Sequence, residues 1–92
     1  MRYQIIIVAD ADEELRAVPV FNRRRIANTI LQSLGTEPTR ESKSRIKRLI
    51  QPAASVFRLR VGEYRVFYDV EGNVVTVLHV CHKDDCARLY GG

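Results

Sequence analysis

Three arginines, Arg58, Arg60 and Arg65, lie in the segment Phe57-Arg-Leu-Arg-Val-Gly-Glu-Tyr-Arg-Val-Phe-Tyr68, at spacings that place all three guanidinium groups on one face of a β-hairpin. Phe57, Leu59 and Val61 alternate with Arg58 and Arg60, and Tyr64, Val66 and Tyr68 alternate with Arg65 and Phe67. Gly62-Glu63 between the two runs suits a two-residue type II′ turn, whose first central position requires positive φ. Such a turn pairs Val61 with Tyr64, Arg60 with Arg65, and Arg58 with Phe67. Cross-strand Cβ atoms lie roughly 5 Å apart, so two opposed guanidinium charges repel by roughly 1 to 3 kcal/mol at effective dielectrics of about 20 to 80. The cluster thus works against the fold that carries it. Planar forks of donors match phosphate oxygens, and the arrangement points to an anionic visitor on that face. The plainer reading of the same residues is a solvated face with arginines for solubility.

The rest of the chain must position this hairpin. Arg2 to Val8 reads as a strand apolar on both sides and therefore well covered. Asp10 is the expected N-cap of a short helix through about Val18, with Glu13 completing a capping-box-like pair. Pro19 breaks that helix. From Val20 to Leu34, Ile26, Ala27, Ile30, Leu31 and Leu34 recur at three- and four-residue spacing as one apolar stripe, and Gly35 follows as the C′ stop. The tract Arg23-Arg24-Arg25 opens this helix; such runs are more often solvated faces than binding patches. Thr36 to Ser42 is a polar connection, and Ser44 to Ile50 is expected to form a helical turn or two, with Ile46, Leu49 and Ile50 inward. Strands follow at about Ser55 to Val61, Tyr64 to Val70 and Val74 to Cys81. This order predicts an α+β fold: a small antiparallel four-stranded sheet with two helices packed on one face. The other face, carrying the arginines, is expected to stay open. A three-residue loop at Glu71-Gly72-Asn73 would pair Val70 with Val74 and set His79 opposite Arg65, so that His79, Cys81 and Lys83 join the arginines. A two-residue loop would bring Leu78 and His82 to that side instead. The three-residue loop is preferred.

Ninety-two residues, 46% of them hydrophobic, make one small domain spanning the whole chain, 1–92, around one core. Tyr3 to Val8 is too short for a signal segment or a membrane span, so a cytoplasmic protein is expected. Cys81 and Cys86 are too few for a disulfide framework, and reduced thiols are the default. Cys81-His82 with Cys86 gives three soft ligands but no second pair, so neither a metal nor a cofactor is expected. With 15 Lys and Arg against 11 Asp and Glu, the charge balance favours a nucleic acid or an acidic protein as partner.

The hairpin string, followed by Val-Val-Thr-Val-Leu-His-Val-Cys-His-Lys83 and a late Tyr90, resembles the RelE/ParE superfamily of bacterial and archaeal toxins. That family runs a strand with alternate basic residues into Val-Gly-Asp/Glu-Tyr-Arg-Val-x-Tyr and ends its last strand in Gly-His-Arg, with a tyrosine shortly after. The resemblance covers nearly the whole chain. It implies a toxin of a type II toxin-antitoxin system, most closely a RelE-like mRNA interferase that enters the ribosomal A site and cleaves the codon there without a metal. The ribose 2′-hydroxyl attacks its own 3′-phosphate, and the added charge of the phosphorane must be neutralised.

Carried over by position, the catalytic set is Arg58, Arg60, Arg65, His82, Lys83 and Tyr90, with Arg45, Lys47, Arg48 and His79 as RNA-binding candidates. Arginine stands where some relatives have lysine as candidate base, and it essentially never releases a proton, so His79 or His82 would have to serve. Cys81 replaces the usual glycine, and Lys83 the usual arginine, which loses the bidentate fork. The alternatives are a weakened member or a ParE-like toxin that inhibits DNA gyrase through protein contacts. Each toxin reading implies a cognate antitoxin as partner, with DNA reached only through it. The nuclease adds the ribosome and mRNA, and no membrane is involved.

Overall fold

The computed structural model describes residues 2–87. It contains β1 (Gln4–Ile7), α1 (Ala9–Arg16), α2 (Val20–Thr29) running into a π-helical turn (Ile30–Leu34), β2 (Ile46–Arg48), β3 (Phe57–Val61), β4 (Tyr64–Glu71) and β5 (Val74–His82). The class is α+β as expected, but the sheet has five strands, in the order β1-β5-β4-β3-β2. It is also mixed: β1 runs parallel to β5, and the other pairs are antiparallel.

The added strand is β2, in the segment read as helical. Ile46 pairs with Leu59 and Arg48 with Phe57. The apolar spacing that suggested a helix has another origin: Ile46 enters the main core, Leu49 turns to the opposite face, and Ile50 is 83% exposed. A three-residue edge strand is too short to show its own periodicity. β1 also departs from expectation, because it forms the other edge and leaves Ile6 and Ile7 partly exposed.

The helices lie on one face. Ile26, Ile30 and Leu34 form the buried line of α2 and its π turn, spaced by four, while Leu31 of the expected stripe is 64% exposed. They meet Leu59, Val61, Val66, Tyr68, Val75, Val77 and Val80 of the sheet and Ala11 and Leu15 of α1. Asp10 does not cap α1. Val8 holds that place with no side-chain cap bond, since its N–H still donates to Val77 O in the β1–β5 ladder and the helix begins directly after it. Asp10 and Asp12 sit in the first turn, where negative charge suits the helix dipole. Gly35 is the C-cap with right-handed backbone, and its lack of a side chain is required because a Cβ would clash with the Leu31 carbonyl oxygen.

Tyr68 anchors the core. It is fully buried, and its hydroxyl donates to the Pro38 carbonyl at 2.5 Å. Burial pushes its phenol well above the ordinary range, against a smaller downward pull from the Arg58 charge. Because the folded-state pKa is the raised one, the native state retains this proton above about pH 10, where the unfolded chain releases it. Stability is then present below pH ~10 and falls above it by about 1.4 kcal/mol per pH unit. Tyr68→Phe is expected to cost about 1 to 3 kcal/mol at neutral pH, by orphaning the Pro38 carbonyl, and to remove this alkaline component. Urea unfolding of both proteins across pH 8 to about 11 tests it; parallel pH profiles would contradict the assignment.

The second face is not open. Leu49, Phe67 and Cys86 form a small second core there, with Ala53 and Cys81 packed against it. The chain after β5 folds back onto this face, and Cys81 and Cys86, expected as free thiols, are joined in a disulfide with Cα atoms 5.8 Å apart. Among the described residues, no helix is long and apolar enough to cross a membrane.

Candidate functional site

The β3–β4 hairpin has the expected register: Val61 faces Tyr64, Arg60 faces Arg65, and Arg58 faces Phe67. Gly62 has φ +58° and, among the described residues, no non-glycine residue has positive φ, the combination of a type II′ turn. The β4–β5 connection is the two-residue loop Gly72-Asn73, with Glu71 facing Val74, not the preferred three-residue one. A bulge between Phe67 and Tyr68 along the ladder, with Leu78 as the extra residue of β5, then restores the face. Phe67 faces His79 and Arg65 faces Cys81. His79 and Cys81 therefore lie on the arginine side as expected, although His79 is one pair away from Arg65. His82 faces Tyr64, on the helix side.

Sharing a face does not bring the arginines into one cluster. Arg65 is 8% exposed, and its Nη1 donates to Gly62 O and Tyr64 O, both at 2.9 Å. Its charge is directed at the carbonyls of its own hairpin, which relieves the repulsion from Arg60 and braces the turn. Arg58 is half-buried between Lys47 and Phe67 on neighbouring strands. Arg60 is exposed.

At the hairpin end of the sheet is an open depression of about 440 Å³. Arg60, Gly62, Glu63 and Tyr64 contribute from the hairpin, His82 and Lys83 from the end of β5, and Asn22 and Arg25 from α2. Three of the predicted catalytic residues, Arg60, His82 and Lys83, are thus brought together. Lys83 Nζ pairs with Glu63 Oε2 at 3.0 Å, and its N–H donates to Glu63 O at 2.7 Å. The hydrogen bond and charge of Lys83 hold the Glu63 carboxyl below its ordinary range, which makes it a weak base. His82 packs edge-on against the Tyr64 ring with centroids 5.5 Å apart. Its Nδ1 accepts the Asp84 N–H at 3.2 Å, so the neutral ring carries its proton on Nε2. Asp84 Oδ2 lies 3.5 Å from the same Nδ1, in place to pair with Nδ1–H when the ring is charged. In both forms Nε2 is a donor.

The remaining candidates lie elsewhere. His79 Nδ1 is 3.4 Å from Glu14 Oε1, and the same oxygen accepts the Val80 N–H at 3.0 Å, where β1 has ended and the β5 edge would otherwise be bare. His79 is absent from the lining of the depression. Arg45, Lys47 and Arg48 are exposed on and beside β2; Arg48 stacks over the Phe57 ring at 4.7 Å, and Arg45 accepts the Arg60 N–H through its carbonyl. Tyr90 lies outside the described residues. Asn22 and Arg25 were not singled out by sequence; the Arg23-Arg24-Arg25 tract was the signal, but it does not say which arginine reaches the hairpin.

The chain matches the family model described as the ParE toxin of type II toxin-antitoxin system, parDE, over residues 5–85. It belongs to that family, and it is a toxin of a type II toxin-antitoxin system. Similar solved structures include the RelBE2 toxin-antitoxin complex from Mycobacterium tuberculosis, at 25% identity and TM-score 0.77 over 89% of this chain and 99% of that one. The RelB-RelE antitoxin-toxin complex from Methanococcus jannaschii is similar at 25% identity and TM-score 0.65, over 86% and 91% of the two chains. The RelE-RelB complex from Pyrococcus horikoshii, at 24% identity and TM-score 0.69 over 92% and 99%, shares the fold. No curated protein sequence matches the chain.

Proposed function

We propose that this toxin is a ribosome-dependent endoribonuclease that cleaves mRNA in the A site by attack of a ribose 2′-hydroxyl on the adjacent phosphodiester. The observation that carries this reading is the gathering of His82, Lys83 and Arg60 around one open depression. As O2′ bonds to phosphorus and the bond to O5′ breaks, guanidinium groups stabilise the phosphorane oxygens. His82 acts as the imidazolium, its Nδ1–H directed at Asp84 Oδ2; it gives its Nε2 proton to the departing O5′ and is left as the neutral imidazole. The 2′-hydroxyl proton leaves to water, because Glu63, the one carboxylate among the described residues lining the depression, is committed to Lys83. Arg65 acts indirectly, by holding the turn. A site this open cannot by itself hold an RNA strand in line for attack, and the ribosome supplies that orientation.

Such a toxin works in the cytoplasm. Its cognate antitoxin, the kind of partner named in the related complexes, is drawn to the net charge of +4. Primer extension on programmed ribosomes with purified protein, beside the same mRNA without ribosomes, tests the proposal. A cut in the A-site codon that needs the ribosome is the expected result. One observation favours a second reading, a ParE-like gyrase inhibitor: Arg65 and Lys83 both have internal partners, which leaves fewer cations for phosphate. No cut on ribosomes, together with inhibition of DNA supercoiling by gyrase, would establish that reading instead.

A further inference from the structure

We propose that Arg25 of α2 is a phosphate-binding residue of this site, a role that rests on the nuclease reading above. Two observations carry it. Arg25 lines, from the helix side, the same depression as His82 and Lys83. Its guanidinium also lies directly over the hairpin turn: a Cβ placed on Gly62 would meet Arg25 Nη1 at 2.8 Å. Gly62 thus serves two ends, the positive φ of the turn and the space into which the Arg25 fork fits.

Arg25 and Arg60 differ in their charge balance from the other cations near the turn. Lys83 is balanced by Glu63, and Arg65 is buried against two carbonyls. Among the described residues, no ion pair holds Arg25 or Arg60. An uncompensated guanidinium beside a donor imidazole is the pairing that a phosphorane needs, since its extra charge sits on non-bridging oxygens that a planar fork can grip in two places. Lys83, a point charge already neutralised, cannot supply that fork. Arg25 comes from a different element than the hairpin, so the substrate phosphate would sit in the cleft between α2 and the β3–β4 turn.

The test uses single-turnover cleavage on programmed ribosomes across a range of toxin concentrations, with Arg25→Ala, Arg25→Lys and, as a control of equal charge change, Arg24→Ala. Arg25→Ala is expected to lower the saturating rate by about 100-fold, the usual effect of removing one transition-state donor. Arg25→Lys should recover only part of that loss, and Arg24→Ala should cleave as the unmodified toxin does. Equal rates for Arg25→Ala and Arg24→Ala would overturn the proposal and leave the nuclease reading intact. If the unmodified toxin fails to cut, a second measurement still decides: titration with a short RNA carrying a 2′-O-methyl group, followed through the guanidinium Nε–H resonance missing from Arg25→Lys. A shift of that resonance upholds the phosphate site, and none removes it.

Discussion

His82→Ala is expected to lower A-site cleavage by about 100- to 1000-fold, within the range for loss of a positioned proton donor, with little change in the unfolding midpoint. The ring is partly exposed, and its fixed contacts are the Asp84 N–H at Nδ1 and the edge of Tyr64. Those contacts aim it without making it a core residue. Because Nδ1 is turned toward Asp84 in either protonation state, the catalytic atom must be Nε2, and in the imidazolium held by the Asp84 carboxylate its task is donation. This differs from the general base that the loss of the family's lysines first suggested, and it separates two replacements. His82→Gln can keep an N–H near the Nε2 position but cannot deliver a proton, so it should recover binding and little of the saturating rate. His82→Asn places its polar group near Nδ1 and should recover neither. Single-turnover cleavage read beside thermal unfolding decides; a His82→Ala protein that cuts at the unmodified rate would remove His82 from the mechanism.

The hairpin was legible because two local signals agreed: a two-residue period and a glycine at the turn position that needs positive φ. Together they gave the pairing of Arg60 with Arg65 and of Arg58 with Phe67. The helix face was legible for the same kind of reason, with Ile26, Ile30 and Leu34 on one line. What was not legible depends on partners distant in sequence. β2 is a strand only because β3 lies beside it, and the direction of β1 is set by its pairing with β5. In β5 the wrong loop length and an unforeseen bulge offset each other, so His79 reached the expected face by an unexpected route. Alternation likewise gives the side of the sheet a residue takes but not what covers that side. Arg65 and Phe67 alternate onto a side expected to be open and are in fact buried, Phe67 against Leu49 and Cys86 and Arg65 against the carbonyls of its own hairpin. Arg25 was hidden for the opposite reason, since three consecutive arginines on a helix point in three directions and only the packing of α2 on the sheet selects one.

Phe67→Ala is therefore expected to destabilise the protein by about 3 to 5 kcal/mol, the cost of deleting a buried aromatic side chain, where an open face would have made it nearly neutral. For a domain of this size that is a fall of well over 10 °C in the midpoint and a large share of a total stability of about 5 to 14 kcal/mol. Phe67 is fully buried, and it packs with Leu49 and Cys86. The disulfide from Cys86 to Cys81 adds to the same cluster by closing a short loop, which confines the unfolded chain by about 2 kcal/mol in the entropic view. The loop so closed contains His82 and Lys83. A cavity at Phe67 would therefore loosen the segment that carries the proposed proton donor, and activity should fall at temperatures where the protein is still folded. Phe67→Leu, which keeps most of the volume, should lose far less of both. Denaturant unfolding with intact disulfide measures the effect; a loss below about 1 kcal/mol for Phe67→Ala would mean that this face is solvated in solution.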